Sequence, residues 1–309
     1  MKKLRYIPLL ALTAVLASCG LNVKAPSFAE EGEEVSFVKF KEGLIKAESL
    51  SEITDIDYNL GDKVMKFSTS DTTIRTWKRG NKELAKQESQ YVGKGESQYD
   101  VDNYVAKFVS EAKNTITTTS QEGSSNQTSN QSYERYYQIE SVKGSNCFVQ
   151  VNAKTKNYFV TDKITSLNKR GDIFDNIVRG DMASIITQFE GQIPYDQKSS
   201  KGYLFYNSDD IIFTIILNGE TEDTSTSTYK LRTQSKIKAQ LDLTDKKEAF
   251  RLSYEVTHEY TYKADYDNYA SGDVVTEKIT EYMDTTISEK NVDLNNVDLG
   301  DYILLDYAI

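Results

Sequence analysis

Cysteine, proline, histidine and tryptophan are nearly absent from this chain: two, three, one and one in 309 residues. The two cysteines, Cys19 and Cys147, cannot build a disulfide framework, and the flanks of Cys147 (Phe148, Val149) suit a buried, inert thiol. One histidine, His258, cannot make a metal site of the usual kind, which gathers several His, Cys or carboxylate ligands. Glu255 and Glu259 lie near it in sequence, but strand alternation puts both on the opposite face. No Gly-x-Ser-x-Gly elbow and no glycine-rich phosphate loop occurs. No metal, cofactor or enzymatic activity is therefore expected. Basic residues are outnumbered by acidic ones, 37 to 47, for a net charge of −10. An acidic surface argues against a nucleic acid partner and against a broad basic face for anionic lipid.

The chain does have a marked beginning. Lys2, Lys3 and Arg5 precede an apolar stretch, and small residues lead to Cys19, which is the pattern of a secretory signal peptide over 1–18. The stretch is too short for a permanent membrane span, and no later one reaches that length. The run Leu16-Ala17-Ser18-Cys19 resembles the bacterial lipoprotein signal, with its lipobox. That resemblance implies cleavage before Cys19 and a diacylglyceryl thioether on its sulfur. Two acyl chains hold a protein stably at a membrane where one does not. The expected location is the extracytoplasmic side of the cell membrane. Residues 19–34, with Pro26 and the acids Glu30, Glu31, Glu33 and Glu34, read as a tether.

Residues 35–309 are expected to form one domain. Helical spacing predicts helices over 35–47, over 100–112 (Val101, Tyr104, Val105, Phe108 and Ala112, with Asp100 as N-cap) and over 170–189. Residues 53–60 and 63–69 read as a strand pair across Gly61-Asp62, with another strand over 72–79. Residues 120–132 contain no apolar side chain and read as a mobile polar loop. The segments 133–142, 147–153 and 158–161 read as strands, and 203–206 with 211–217 as a hairpin. From Phe250 to Tyr266 every even position is apolar, aromatic or histidine and every odd position is polar. Such period-two patterning specifies a strand with one covered and one wet face, paired with 231–243 and 274–289. The fold class expected is α+β: a strongly curved antiparallel sheet or unclosed β-barrel with a few packed helices. The order of these elements resembles the outer-membrane lipoprotein carrier family and the mycobacterial glycolipid-carrier lipoproteins. The matching parts are the early helix, the strand–turn–strand after it, the meander at 229–289 and the closing Val292-Asp293-Leu294 with Asp301-Tyr302. The resemblance implies a concavity that carries acyl chains or lipoproteins.

Carboxylates occur in pairs (Asp209 and Asp210, Glu220 and Glu222, Asp265 and Asp267), each read as part of a solvated turn or loop rather than a hydrolytic pair. The tyrosines of the alternating segment carry more. Tyr254, Val256, Tyr260 and Tyr262 share one face and are the candidate wall for a hydrophobic or lipid ligand, since tyrosine joins an apolar body to a polar tip. For the middle of the row an ordinary sheet core under helices is the favoured reading. Two further readings stay open: an envelope interaction or structural protein with no small ligand, and an anchored hydrolase.

Overall fold

The computed structural model describes residues 21, 23–50, 61–166, 170–174, 176, 189–192, 202–208, 211–243 and 247–305. Cys19, the signal peptide, the expected strand 53–60 and most of the third expected helix lie outside that set. Thirteen strands form one sheet, in the order β1 (Glu33–Glu34), β8 (Gly202–Asn207), β9 (Ile212–Asp223), β10 (Tyr229–Asp242), β11 (Lys247–Tyr262), β12 (Asp273–Glu289), β2 (Lys63–Arg79), β3 (Lys82–Asp100), β4 (Val105–Ser120), β5 (Gly123–Val142), β6 (Ser145–Asn152), β7 (Asn157–Lys163) and β13 (Ile303–Leu304). The strands that span it are long: β2 (Lys63–Arg79), β3 (Lys82–Asp100), β4 (Val105–Ser120), β5 (Gly123–Val142), β11 (Lys247–Tyr262) and β12 (Asp273–Glu289). Between β1 (Glu33–Glu34) and β13 (Ile303–Leu304), the two ends of the sheet, no pairing closes a barrel among the described residues. The α+β expectation is thereby overturned. Among the described residues, helix is confined to α1 (Phe37–Leu50) and to short pieces at 170–174, 176 and 189–190, and most of the rest is strand.

Two misreadings account for most of the difference. Asp100 does cap as an N-cap would, accepting from the Asn103 amide at 2.9 Å. The chain then leaves the helical path, because Tyr104 takes a φ of 56°. Residues 105–120 form β4 instead, rich in the β-branched Val, Ile and Thr that favour a pleated surface. The polar stretch at 120–132 is not a loop either. It turns at Gln121-Glu122, and Gly123 (φ 142°) starts β5, which pairs with β4 from Ser120↔Gly123 to Ala106↔Tyr137. Backbone pairing with a long neighbour holds that segment, and burial of its side chains is not required. In the same way β2 runs unbroken where two strands were expected.

The meander is as the alternation predicts. β10 (Tyr229–Asp242) pairs with β11 from Tyr229↔Tyr262 to Asp242↔Ala249, and β11 pairs with β12 from Lys247↔Ser288 to Thr261↔Val274. β11 stops at Tyr262, and residues 263–272 fold back as a loop. The hairpin of β8 (Gly202–Asn207) and β9 (Ile212–Asp223) is also present.

One end of the sheet, here called the base, carries the core. Phe40 and Leu44, one turn apart on α1, are fully buried against Phe189, Phe213, Leu241 and Phe250. Burying such side chains stabilises by roughly 1.5–3 kcal/mol each. Val38 and Ile45, on the other side of α1, are exposed. A Cβ on Gly43 would sit 3.1 Å from the Tyr206 ring, so glycine sets how closely α1 approaches β8. A second, smaller core lies on the opposite face, where Val297, Leu299 and Tyr302 cover Cys147, Val149 and Val151 of β6 (Ser145–Asn152). The closing segment is held there by backbone amides donating to side chains of the sheet: Val292 to half-buried Asp62 (2.8 Å), Leu294 to buried Asp100 (2.9 Å) and Val297 to buried Gln138 (2.8 Å). Residues 28–34, expected as free tether, also lie on the sheet: Ala29 donates to Gln240 at 2.7 Å and Glu33–Glu34 pair with β8.

Candidate functional site

Away from the base, the outer parts of the long strands form a distal half that no described helix covers. Register places successive cross-strand rows on the face that continues from the core. One row joins Tyr254, Glu281, Asp71 and Tyr91, and the next but one joins His258, Glu277, Arg75 and Gln87. Glu281 and Asp71 stand directly opposite each other. Burial, and then the Asp71 charge, hold the Glu281 carboxyl above its ordinary range.

At the distal tip the rows end in an aromatic cap. Trp77, Tyr229, Tyr260, Tyr262 and Tyr269 gather there, with Tyr269 stacked on Tyr262 at 4.4 Å and set edge-on to Trp77 at 5.0 Å. The clasp of this cap is Asp273, which is wholly buried. Its carboxylate accepts from Arg79 Nε (2.8 Å), a second Arg79 nitrogen (2.9 Å), Trp77 Nε1 (2.9 Å) and the Ala270 amide (2.9 Å). The Arg79 hydrogen bonds hold Asp273 well below the usual carboxylate range.

The four residues of the expected ligand wall do share one face, but they form no continuous cavity wall. Tyr254 packs at the margin of the core, Val256 is buried, and Tyr260 and Tyr262 belong to the cap, where burial pushes both phenols up. None of them lines either of two grooves that flank β2–β5 nearer the base. One groove has a volume of about 770 Å³ and is floored by Gly95 and Val109, with Lys66, Lys94, Glu96, Glu111 and Glu134 around it. Its charges are largely matched: Lys66 to Glu96 at 3.1 Å, and Lys94 to Glu111 at 2.8 Å. The other, of about 490 Å³, lies by Met65, Phe108, Tyr133 and Tyr137. At Gly95 an added Cβ would come within 2.5 Å of the Phe67 ring and 2.7 Å of the Val109 carbonyl, so this strand crossing requires glycine.

The remaining sequence candidates are accounted for structurally. His258 Nδ1 lies 3.0 Å from Thr233 Oγ1. Cys147 is buried in the smaller core, on the opposite face and several strands away, so the two cannot form a dyad. Glu220 and Glu222 lie on β9 and not in a turn, pairing with Arg232 and with Lys230. Asp265 accepts from the Ser271 amide, and Asp267 from the Asn268 side chain. Asp209 and Asp210 lie outside the described residues. No cluster of three or more metal-ligating side chains occurs among the described residues.

Sequence reasoning missed Asp273, the groove at Gly95 and the exposed edge of β5. Only the edge had a local signal: its long pairing with β4 is announced by the Gln121–Gly123 turn.

No protein-family model matches the chain, and no curated protein is similar to it. Solved structures that align with it include OccK7 (OpdD) of Pseudomonas aeruginosa, at 7% identity over 72% of this chain and 98% of that one, with a TM-score of 0.21. The outer membrane protease OmpT of Escherichia coli aligns at 7% identity, covering 75% and 98%, with a TM-score of 0.17. A FadL homologue of Pseudomonas aeruginosa aligns at 7%, covering 74% and 90%, with a TM-score of 0.15. TM-scores this low carry no argument about fold or function, so the functional reading rests on the chain's own residues and geometry.

Proposed function

We propose that this chain is a lipid-anchored protein of the bacterial envelope, held at the membrane through Cys19, that works by binding another macromolecule with the distal half of its sheet. The observation that carries this is the division of the molecule. Both cores lie at the base, while long strands continue outward beyond the cover of any described helix. A sheet built only for its own stability would end where its cover ends. The distal half is instead tied together at its tip by the Asp273 hydrogen bonds and the aromatic cap, and it presents a mixed polar surface. The reading includes no catalytic step.

Two measurements test it. Mass spectrometry of the N-terminal peptide from membranes should find a diacylglyceryl thioether on Cys19, and Cys19→Ala should release the protein or leave it unprocessed. A mature N-terminus elsewhere refutes the anchor. Photo-crosslinking residues at the exposed positions Gln87, Asn114 and Gln127 should give protein adducts in cells, and one at exposed Asp162 near the base should not. Absence of distal adducts refutes the binding role. A second reading has one observation in its favour. The groove of about 770 Å³ is of the size that small ligands use, with an apolar floor and a charged rim that suit an amphiphile. Lipid adducts from a crosslinker at Val109 would support it.

A further inference from the structure

The sheet has two long stretches of edge in its distal half, and they differ in chemistry. On one side the pairing of β8 with β9 ends at Gly202↔Leu217, leaving Asn218–Asp223 of β9 with no partner on its outer side among the described residues. On the other side β6 pairs only with Arg135–Val142, leaving Gly123–Gln131 of β5 with no partner on its outer side among the described residues. An open edge is a row of unpaired amides and carbonyls, and proteins normally guard it with charge, proline or a short strand. The β9 edge is guarded by Glu220, Glu222 and Asp223. The β5 edge has none of these guards. Its residues are Gly-Ser-Ser-Asn-Gln-Thr-Ser-Asn-Gln, without one charge or proline, in a chain of net charge −10.

We propose that this edge of β5 pairs with the same edge of a second copy of the chain, antiparallel about a two-fold axis at Gln127. This rests on the binding role assigned above to the distal half and names its partner. The occupant follows from charge. An identical strand brings only hydroxyls and amides against hydroxyls and amides, so no like charges meet. The β9 edge excludes the same arrangement, because its acids would face one another. The axis sets the register Gly123↔Gln131, Ser125↔Ser129 and Gln127↔Gln127. Equivalent patches meeting on a two-fold axis close after two subunits, so the assembly is a dimer and not a fibre.

The experiment is sedimentation of the full chain in detergent, with variants on the exposed β5 edge. Wild type should run as a dimer at high concentration. Ser125→Lys with Ser129→Lys sets like charges opposite across the axis and should give a monomer, as should Ser125→Glu with Ser129→Glu. Mixing the two variants sets opposite charges across and should restore the dimer. At dilutions where wild type is also monomeric, Trp77 fluorescence and melting should be unchanged in each variant, because both positions are exposed. A wild type that stays monomeric, a dimer that ignores both pairs of substitutions, or a mixture that fails to reassociate would overturn the proposal. A monomer that still yields distal adducts with other proteins in cells refutes self-pairing alone and leaves the binding role standing.

Discussion

Replacing Asp273 by Asn should open the distal cap without unfolding the base. The buried carboxylate accepts four hydrogen bonds, three of them from Arg79 and Trp77 and one from the Ala270 amide in the returning loop. Asn keeps one oxygen but turns an amide toward the Arg79 donors and removes the charge that pairs with them. Hydrogen bonds to a charged group are worth about 1.5–3 kcal/mol, and a buried donor left unmet costs about 1–3 kcal/mol. Arg79 is half exposed and recovers part of its loss from water, so a net cost of about 2–3 kcal/mol is expected. Trp77 is the only tryptophan and lies within the cap, so its emission reports the distal end while far-UV circular dichroism reports the whole sheet. In urea, Asp273→Asn should shift the fluorescence transition to lower denaturant well ahead of the dichroism transition. The pH dependence has a definite sign. Asp273 is depressed in the folded state, so its contribution is complete above the ordinary carboxylate pKa of about 3.9 and is lost as pH falls below it. The gap between wild type and variant should therefore be constant from pH 8 to about 5 and narrow below about 4. Coincident fluorescence transitions for the two proteins at pH 7 would refute the clasp.

Gly95→Ala should cost about 1–3 kcal/mol by overpacking against Phe67 and the Val109 carbonyl, read as a lower melting temperature. Phe40→Ala, at the centre of the base core, should cost about 3–5 kcal/mol and bring the two transitions together by unfolding the whole chain at lower urea. Glu281 is raised in the folded state, so its charged form opposes folding as pH rises past its ordinary pKa. Glu281→Gln should stabilise by about 0.5–1 kcal/mol at pH 7, and the gain should vanish at pH 3, as urea titrations at the two values would show. Cys147 should resist maleimide labelling in the folded protein and react once urea opens the smaller core.

Much of the fold is local enough to be legible in the residues. The period-two pattern of Phe250–Tyr266 set both faces of β11 and its partners as far as Tyr262, because a shift of one residue would have turned every apolar side chain to water, while the end of the strand was not in the pattern. Helical spacing of Val35, Val38, Leu44 and Ile45, with Phe37 and Phe40, marked α1, but it did not separate the buried Phe40 and Leu44 from the exposed Val38 and Ile45. The anchor reading of Cys19 rests on the sequence alone. The tertiary structure decided the rest. Val101–Ala112 carries a helical stripe, yet its strand part from Val105 onward is selected by pairing with β3 and β5, which no local pattern announces. The polar run after Ser120 has no burial signal at all, since what orders it is the backbone of β4. Asp273 and Arg79 are far apart along the chain, and so are Gly95 and Phe67, so neither the clasp nor the tight crossing has a local signature. Patterning fixes which face of a segment is covered, but hydrogen bonds between distant strands determine what lies beside it, and here they determine where the sheet is left open.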